Sequence, residues 1–202
     1  MKYIILVFIL CSNLTIAQTF KQQIDEHRKE YKNNFIKESR SPLRAEDFKD
    51  LHFFEADSAF KIEAKVEMLS NQKIFNMPTY DGTSKEFIRY AKVKFKLKQD
   101  TLTLTLYKNI ALATNPVYKD LLFLPFTDES NQHSTYGGGR YIDLNTQDIK
   151  SGKLTIDFNK AYNPYCAYSD GYRCPIPPEE NDLAISILAG EKRYTGEKKH
   201  KK

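Results

Sequence analysis

The stretch that decides the fold is FKIEAKVEM, Phe60 to Met68, in which every second side chain is apolar. The apolar positions are Phe60, Ile62, Ala64, Val66 and Met68, and lysine or glutamate fills each position between them. Successive side chains of a β-strand point to opposite faces of a sheet, so a period of two predicts a strand with one buried face.

The same period returns along most of the chain. Further strands are predicted at 91–97, 102–106, 121–126, 141–144, 154–158 and 183–189. Turn signals at Asp81-Gly82 and Gln99-Asp100 separate some of them. About eight or nine short strands without alternating helices indicate an antiparallel β-sandwich or a flattened barrel.

A row of lysines occupies alternate positions of the strand at 91–97 and its end, namely Lys92, Lys94, Lys96 and Lys98. This row is either an anion-binding stripe or, as we favour, a solvated face that also blocks pairing at a sheet edge.

One amphipathic α-helix precedes the strands. Phe20, Ile24, His27, Tyr31 and Phe35 fall on one helical face, and Ser41-Pro42 marks a stop. The predicted fold is therefore mainly β, with a single N-terminal amphipathic helix.

The first residues resemble a secretory signal peptide. A short basic start precedes an apolar run from Ile4 to Leu10, which is too short to span a bilayer. Residues 1–17 are predicted to be removed, so that the exported chain, periplasmic or secreted, begins at Gln18. Lipid anchoring through Cys11 is less favoured, because the bulky Leu10 precedes that cysteine.

The last residues carry the basic excess of the protein. The formal net charge is +5, and the segment from Glu191 to the C-terminus holds six Lys or Arg against two Glu. We predict a single β-rich domain over 18–191 and a basic disordered tail over 192–202. An exported address makes a nucleic-acid partner unexpected.

The segment 157–181, DFNKAYNPYCAYSDGYRCPIPPEEN, is rich in tyrosine, cysteine and proline, and is called the tyrosine loop below. Because the preceding strand buries Leu154, Ile156 and Phe158, Asp157 and Asn159 are predicted to face the opposite side. The tyrosines that follow bring enough aromatic surface to cover that side.

Cys166 and Cys174 lie eight positions apart in this loop. Export favours a disulfide between them over free thiols. A zinc site is not expected, because it needs two further ligands and no histidine pair has a suitable spacing. Catalysis by Cys166 as a nucleophile has no support from spacing.

The block TYGGGRY, Thr135 to Tyr141, permits two interpretations. Three glycines free backbone N–H groups to face an oxyanion, and Arg140 offers a planar fork for a carboxylate or phosphate. Alternatively, the block is a tight turn whose arginine pairs with an internal carboxylate. A nucleotide loop is excluded, since a strand rather than a helix follows.

Several blocks together resemble a known family, namely SPL at 41–43, LPF at 124–126 with Asp128, TYGGGRY, DFNKAYNPYCAY at 157–168, CPIPPEEN at 174–181 and AGE at 189–191. They are similar to the uncharacterised bacterial family numbered 1684 among domains of unknown function. The resemblance covers nearly the whole exported chain and implies that these polar blocks belong together. It departs at Asp128 to Gln132, where the family tends toward Asp-x-Thr-x-Gly.

The function expected from these residues is binding of a small polar or anionic ligand, without a cofactor or metal. The predicted ligand-binding residues are Tyr136, Gly137, Gly138, Gly139, Arg140, Asp157, Asn159, Asn163, Tyr168, Glu180 and Asn181. Arg140 is expected within charge-pairing reach of Asp157 or Glu180. The alternatives are a hydrolase that uses Asp157 and Glu180 as acid and base, and a purely structural or interaction domain.

Overall fold

The computed structural model describes residues 19–200 in full, and residues 2–18 only as part of a helix. This helix, α1, spans Lys2–Lys37. The predicted signal peptide at 1–17 lies outside the fully described residues. Among the described residues, no helix is long and apolar enough to cross a membrane.

A single eight-stranded sheet forms the body of the protein. Its strands are β1 (Lys61–Met68), β2 (Phe75–Pro78), β3 (Ser84–Leu97), β4 (Asp100–Asn109), β5 (Leu121–Asp128), β6 (Arg140–Asn145), β7 (Lys153–Asp157) and β8 (Asp182–Leu183). The order is β6-β5-β4-β3-β1-β7, while β2 pairs with β3, and β8 pairs with β5 in parallel. A short helix, α2 (Ile110–Ala113), follows β4.

This sheet curls into a half-barrel. Strand β3 is long enough to pair with β2 and β1 on one side and β4 on the other, and its register shifts between Arg89 and Ala91. Such a bulge bends a strand and increases its twist. The prediction of a mainly β, antiparallel fold with one N-terminal helix is confirmed.

The inner face of the half-barrel holds the main core. Its side chains include Ile62, Ala64, Val93, Phe95, Leu104, Leu106, Leu122, Leu124, Ile142, Leu154, Ile156 and Phe158. These are the apolar positions of the period-two pattern, and polar side chains occupy the alternate positions of β1 and the second half of β3.

The lysine row of β3 is exposed to solvent, as predicted. Its proposed role in protecting a sheet edge is wrong, because β3 lies inside the sheet between β1 and β4.

Helix α1 packs its apolar face against the domain. Ile24 and Phe35 are buried, and Phe35 contacts the rings of Tyr165 and Tyr168 in the tyrosine loop. Phe35 and Tyr168 form a second apolar cluster with Leu43 and Leu51, which follow the helix. The helix therefore fixes one side of the tyrosine loop.

The strand predicted at 183–189 is mostly wrong, since β8 ends at Leu183. The carbonyl groups of Ile187 and Ala189 accept hydrogen bonds from the guanidinium of Arg140 instead of from a neighbouring strand. An alternating apolar pattern indicates which side chains are buried. It does not indicate which group donates hydrogen bonds to the backbone carbonyls.

The prediction of a disordered tail also needs correction. The backbone N–H groups of Lys192 and Arg193 donate to His52 and Ser134, and the Lys199 N–H donates to Tyr168. In addition, the ammonium of Lys199 pairs with Asp47. Residues 192–200 lie against the domain because its loops supply carbonyl and carboxylate partners, which composition alone does not reveal.

Candidate functional site

A cavity of about 840 Å³ lies between α1, the outer face of β3 to β6 and the tyrosine loop. Its size falls within the range of small-molecule sites. The rings of Phe87, Phe123, Tyr141, Tyr162 and Tyr165 line it. The tyrosine loop thus covers part of the outer face of the sheet and leaves a partly open cavity beneath it.

Asp143 is the carboxylate that the sheet presents to this cavity. It lies on β6 directly opposite Phe123 of β5, and Tyr141 precedes it by two residues on the same face. The hydroxyl of Tyr162 donates to its Oδ2 at 2.9 Å. Three aromatic rings therefore surround one carboxylate.

The environment of Asp143 combines access with burial. Its side chain has exposed surface, yet the surrounding protein raises the pKa of this carboxyl by burial, and the Tyr162 hydrogen bond opposes that shift. Asp143 therefore lies where the cavity opens to solvent, with protein atoms around the carboxyl.

Charged groups of both signs line other parts of the cavity wall. Glu30 comes from α1 and Glu38 follows the end of that helix, and the Tyr165 hydroxyl donates to Glu38 at 2.7 Å. Arg173 is held by the Thr83 hydroxyl and the Ser84 carbonyl. Further cationic residues of the wall are Arg40, Lys85 and Lys160.

Burial, followed by the charge of Lys160, lowers the pKa of His27, another residue of this wall. Burial, followed by the charge of Arg173, also lowers the pKa of Lys85.

The predicted disulfide between Cys166 and Cys174 is confirmed, with Cα atoms 6.2 Å apart. Cys174 itself lines the cavity. The Tyr141 hydroxyl donates to the carbonyl of Pro175, which anchors the same end of the loop to the sheet. The bridge and this hydrogen bond fix the loop over the cavity.

Arg140 does not face the cavity. Its guanidinium is fully buried and donates to Asp128 Oδ2 at 2.8 Å, and to the carbonyl groups of the 187–191 segment. Burial lowers the pKa of Arg140, and Asp128 opposes that shift. The expected pairing with Asp157 or Glu180 is wrong, while the interpretation as a turn whose arginine pairs with an internal carboxylate is confirmed.

The three glycines form a tight turn. Gly139 has a φ of +83°, and a Cβ atom there would lie 2.6 Å from the carbonyl oxygen of Phe126. The Gly138 carbonyl accepts the hydroxyl of Tyr80, whose ring contacts that of Tyr136. Gly137 belongs to the same turn, and none of the three glycines lines the cavity. Only glycine permits the close approach of β5 at position 139.

Asn163 and Tyr168 converge on a buried carboxylate that sequence reasoning missed, Glu191. The Tyr168 hydroxyl and the Asn163 side chain donate to Glu191 Oε1 at 2.5 and 2.6 Å. The Tyr31 hydroxyl and the Asn163 N–H donate to Oε2. Burial raises the pKa of Glu191 to about 7, although these four donors oppose the shift.

The remaining predicted residues make structural contacts. Asp157 accepts from the N–H and side chain of Asn159, which in turn binds the backbone of Asp57. Glu180 accepts hydrogen bonds from the Arg89 guanidinium at 2.8 Å and from the Tyr107 hydroxyl. Asn181 is buried and bonds to backbone groups of β4 and β5. Asp157 and Glu180 therefore do not form an acid and base pair.

None of the eleven predicted residues, all of which are described, lines the cavity. The tyrosine loop does line it, through different side chains. Asp143 had a signal in the sequence, because strand parity places it with Tyr141 on the face opposite Ile142. Glu191 had none beyond its place in the AGE block. Among the described residues, no three acidic, histidine or cysteine side chains group as a metal site.

Fold and site together define a small β-rich protein in which a disulfide-linked loop and a helix enclose an aromatic cavity on a half-barrel. The profile of a family described as a protein of unknown function, DUF1684, matches residues 46–192. The chain belongs to this family.

The chain is also similar to a solved structure, an uncharacterised protein of Haloarcula marismortui determined by NMR in solution. The two are 30% identical, with a TM-score of 0.67, and the match covers 87% of this chain and 95% of that one. No curated protein matches this chain significantly.

Proposed function

We propose that this protein is an exported binding protein that holds a small polar molecule in the cavity beneath the tyrosine loop. The observation that carries the proposal is Asp143, a carboxylate with exposed surface inside an aromatic cavity. Asp143 accepts one hydrogen bond, from Tyr162, and no salt bridge engages it among the described residues. Polar groups placed in a largely apolar pocket are the usual means of orienting a ligand.

The contacts of the residues considered for catalysis favour binding over a hydrolase. Asp157 and Glu180 were considered as the acid and base of a hydrolase. Asp157 instead accepts a hydrogen bond from Asn159, and Glu180 accepts one from Arg89. Arg140 was considered as the group that binds an anionic ligand. Its guanidinium instead donates hydrogen bonds to Asp128 and to backbone carbonyl groups. We therefore propose a polar ligand, and we assign its binding site to the cavity instead of the glycine turn.

A panel of sugars, sugar acids, amino acids and phenolic compounds tests the proposal by NMR titration of the purified chain. The cavity is then blocked by Asn34→Trp, since Asn34 lines it from α1. Asn33→Trp is the matched control, because Asn33 is exposed on the same helix outside the lining. Binding that Asn34→Trp abolishes and Asn33→Trp retains supports the proposal. If no compound binds, or if both variants bind like the wild type, the cavity is not the site.

Export is supported by the disulfide, since such bridges persist in oxidising compartments, and by the signal-like sequence at 1–17. Mass spectrometry of the protein purified from the cell envelope or medium is expected to find an N-terminus at Gln18. An intact Met1 on protein from the cytosol would refute export.

A further inference from the structure

The charge balance around Asp143 narrows the class of ligand, if the proposed binding in the cavity holds. Asp143 has one hydrogen-bond partner among the described residues, the neutral hydroxyl of Tyr162. No salt bridge to Asp143 occurs among the described residues. The pKa of its carboxyl responds to burial and to Tyr162, and to no cationic side chain. The carboxylate is therefore not neutralised from within the described protein.

None of the cations of the cavity wall, Arg40 included, forms a salt bridge with Asp143 among the described residues, and none contributes to the shift of its pKa. Lys85 is on β3, three strands from Asp143, which corresponds to about 14 Å across a sheet. Arg173 binds the turn between β2 and β3 through Thr83 and Ser84. The pKa of His27 is lowered by burial and, next, by the positive charge of Lys160.

The rings next to Asp143 suit a positive charge. The Phe123 and Tyr141 centroids are 4.7 Å apart in an edge-to-face arrangement, and Tyr141 and Tyr162 are 5.8 Å apart at 88°. Rings at steep angles present faces in different directions, and the face of an aromatic ring attracts cations within about 6 Å. A cation bound by Asp143 lies next to these rings, which line the same cavity.

We infer that the cavity selects a ligand bearing a protonated amine, whose ammonium group pairs with Asp143 among the rings of Phe123, Tyr141 and Tyr162. The ammonium donates hydrogen bonds to the carboxylate, while the neighbouring rings pack against the ammonium. An apolar or aromatic body of the ligand occupies the remaining space along Phe87 and Tyr165. The inference deepens the proposed function by naming the chemical class of its ligand.

Three probes of nearly equal shape test this inference by NMR titration of the full chain: tyramine, 4-ethylphenol and 4-hydroxyphenylacetate. They share a phenol ring and differ in charge, which is positive, zero and negative. On the wild type we expect tyramine to bind at least about tenfold more tightly than either of the others. Asp143→Asn is expected to remove this preference, since asparagine retains an acceptor for Tyr162 and loses the charge.

Asp100→Asn is the control, because Asp100 is exposed at the turn between β3 and β4, far from the cavity lining. It is expected to bind all three probes like the wild type. Tightest binding of 4-hydroxyphenylacetate, equal binding of the three probes, or an unchanged preference in Asp143→Asn would overturn the inference. In those cases the cavity proposal itself still stands, provided that Asn34→Trp abolishes the binding.

The order of the three probes on the wild type decides the inference even if Asp143→Asn does not fold. If none of the probes binds the wild type, the inference is overturned. The wider ligand panel then decides separately whether the cavity binds anything.

Discussion

Glu191 is expected to make the stability of this protein fall as the pH rises from about 4.5 to about 7. The carboxyl is fully buried, and burial raises its pKa from 4.5 to about 7 in the folded protein. Below the lower value it is protonated in both states. Between the two values the unfolded chain releases the proton while the folded chain retains it, so unfolding becomes easier.

The size of this effect follows from the shift. One pKa unit corresponds to about 1.4 kcal/mol, so a shift from 4.5 to about 7 corresponds to about 3 kcal/mol of unfolding free energy. The pKa values of several carboxyls are lowered and act in the opposite direction, for example Asp81, where hydrogen bonds from Thr79 and Thr83 lower the pKa to about 2. A comparison with Glu191→Gln cancels those contributions, because both proteins contain them.

Urea denaturation of wild type and Glu191→Gln at several pH values from 4 to 8 measures the effect. The difference between their unfolding free energies is expected to change by about 3 kcal/mol in favour of the variant as the pH rises. A steric or hydrogen-bonding penalty in the variant shifts this difference equally at every pH and leaves its slope intact. Glu197→Gln, at an exposed position of the same C-terminal segment, is expected to parallel the wild type. Parallel curves for wild type and Glu191→Gln would refute the reasoning.

Three further changes test the other clusters. Arg140→Ala is expected to lower the unfolding free energy by about 3–5 kcal/mol, because it leaves a buried carboxylate unpaired. Arg89→Ala, at a partly exposed ion pair, is expected to cost about 1 kcal/mol or less. Equal losses for the two variants in urea denaturation would contradict this assignment. Asp143→Asn is expected to be at least as stable as wild type at pH 7, since burial raises the pKa of that carboxyl, and a large loss of thermal stability would show that Asp143 is structural. Replacing both Cys166 and Cys174 by serine is expected to cost about 2–3 kcal/mol for this short loop and to weaken ligand binding; unchanged binding would show that the bridge does not fix the cavity.

Much of the fold could be predicted from local periodicity. Strand parity placed Leu154, Ile156 and Phe158 in the core, where the structure has them. Periodicity failed at 183–189, because Arg140 replaces a strand partner there. It also gave no order for the strands, so the lysine row of β3 was assigned to an edge although it lies inside the sheet.

The site could be predicted only in part, because it depends on pairings between distant positions. The tyrosine loop was recognised as a cover, but parity could not show that the surface it covers belongs mainly to β5 and β6. The partner of Arg140 is Asp128, on the neighbouring strand, and the partners of Glu191 come from α1 and the tyrosine loop. Such contacts follow from the three-dimensional arrangement and leave no pattern in one sequence.

The most direct test of the cavity as the binding site is a map of the backbone amide shifts that change when tyramine, or the best compound of the panel, is added to the full chain. The changes are expected to centre on Phe123, Asp143 and Tyr162, and to disappear in Asn34→Trp. Changes centred on the turn from Gly137 to Arg140, with Asp143 and Tyr162 unaffected, would contradict the assignment of the site to the cavity.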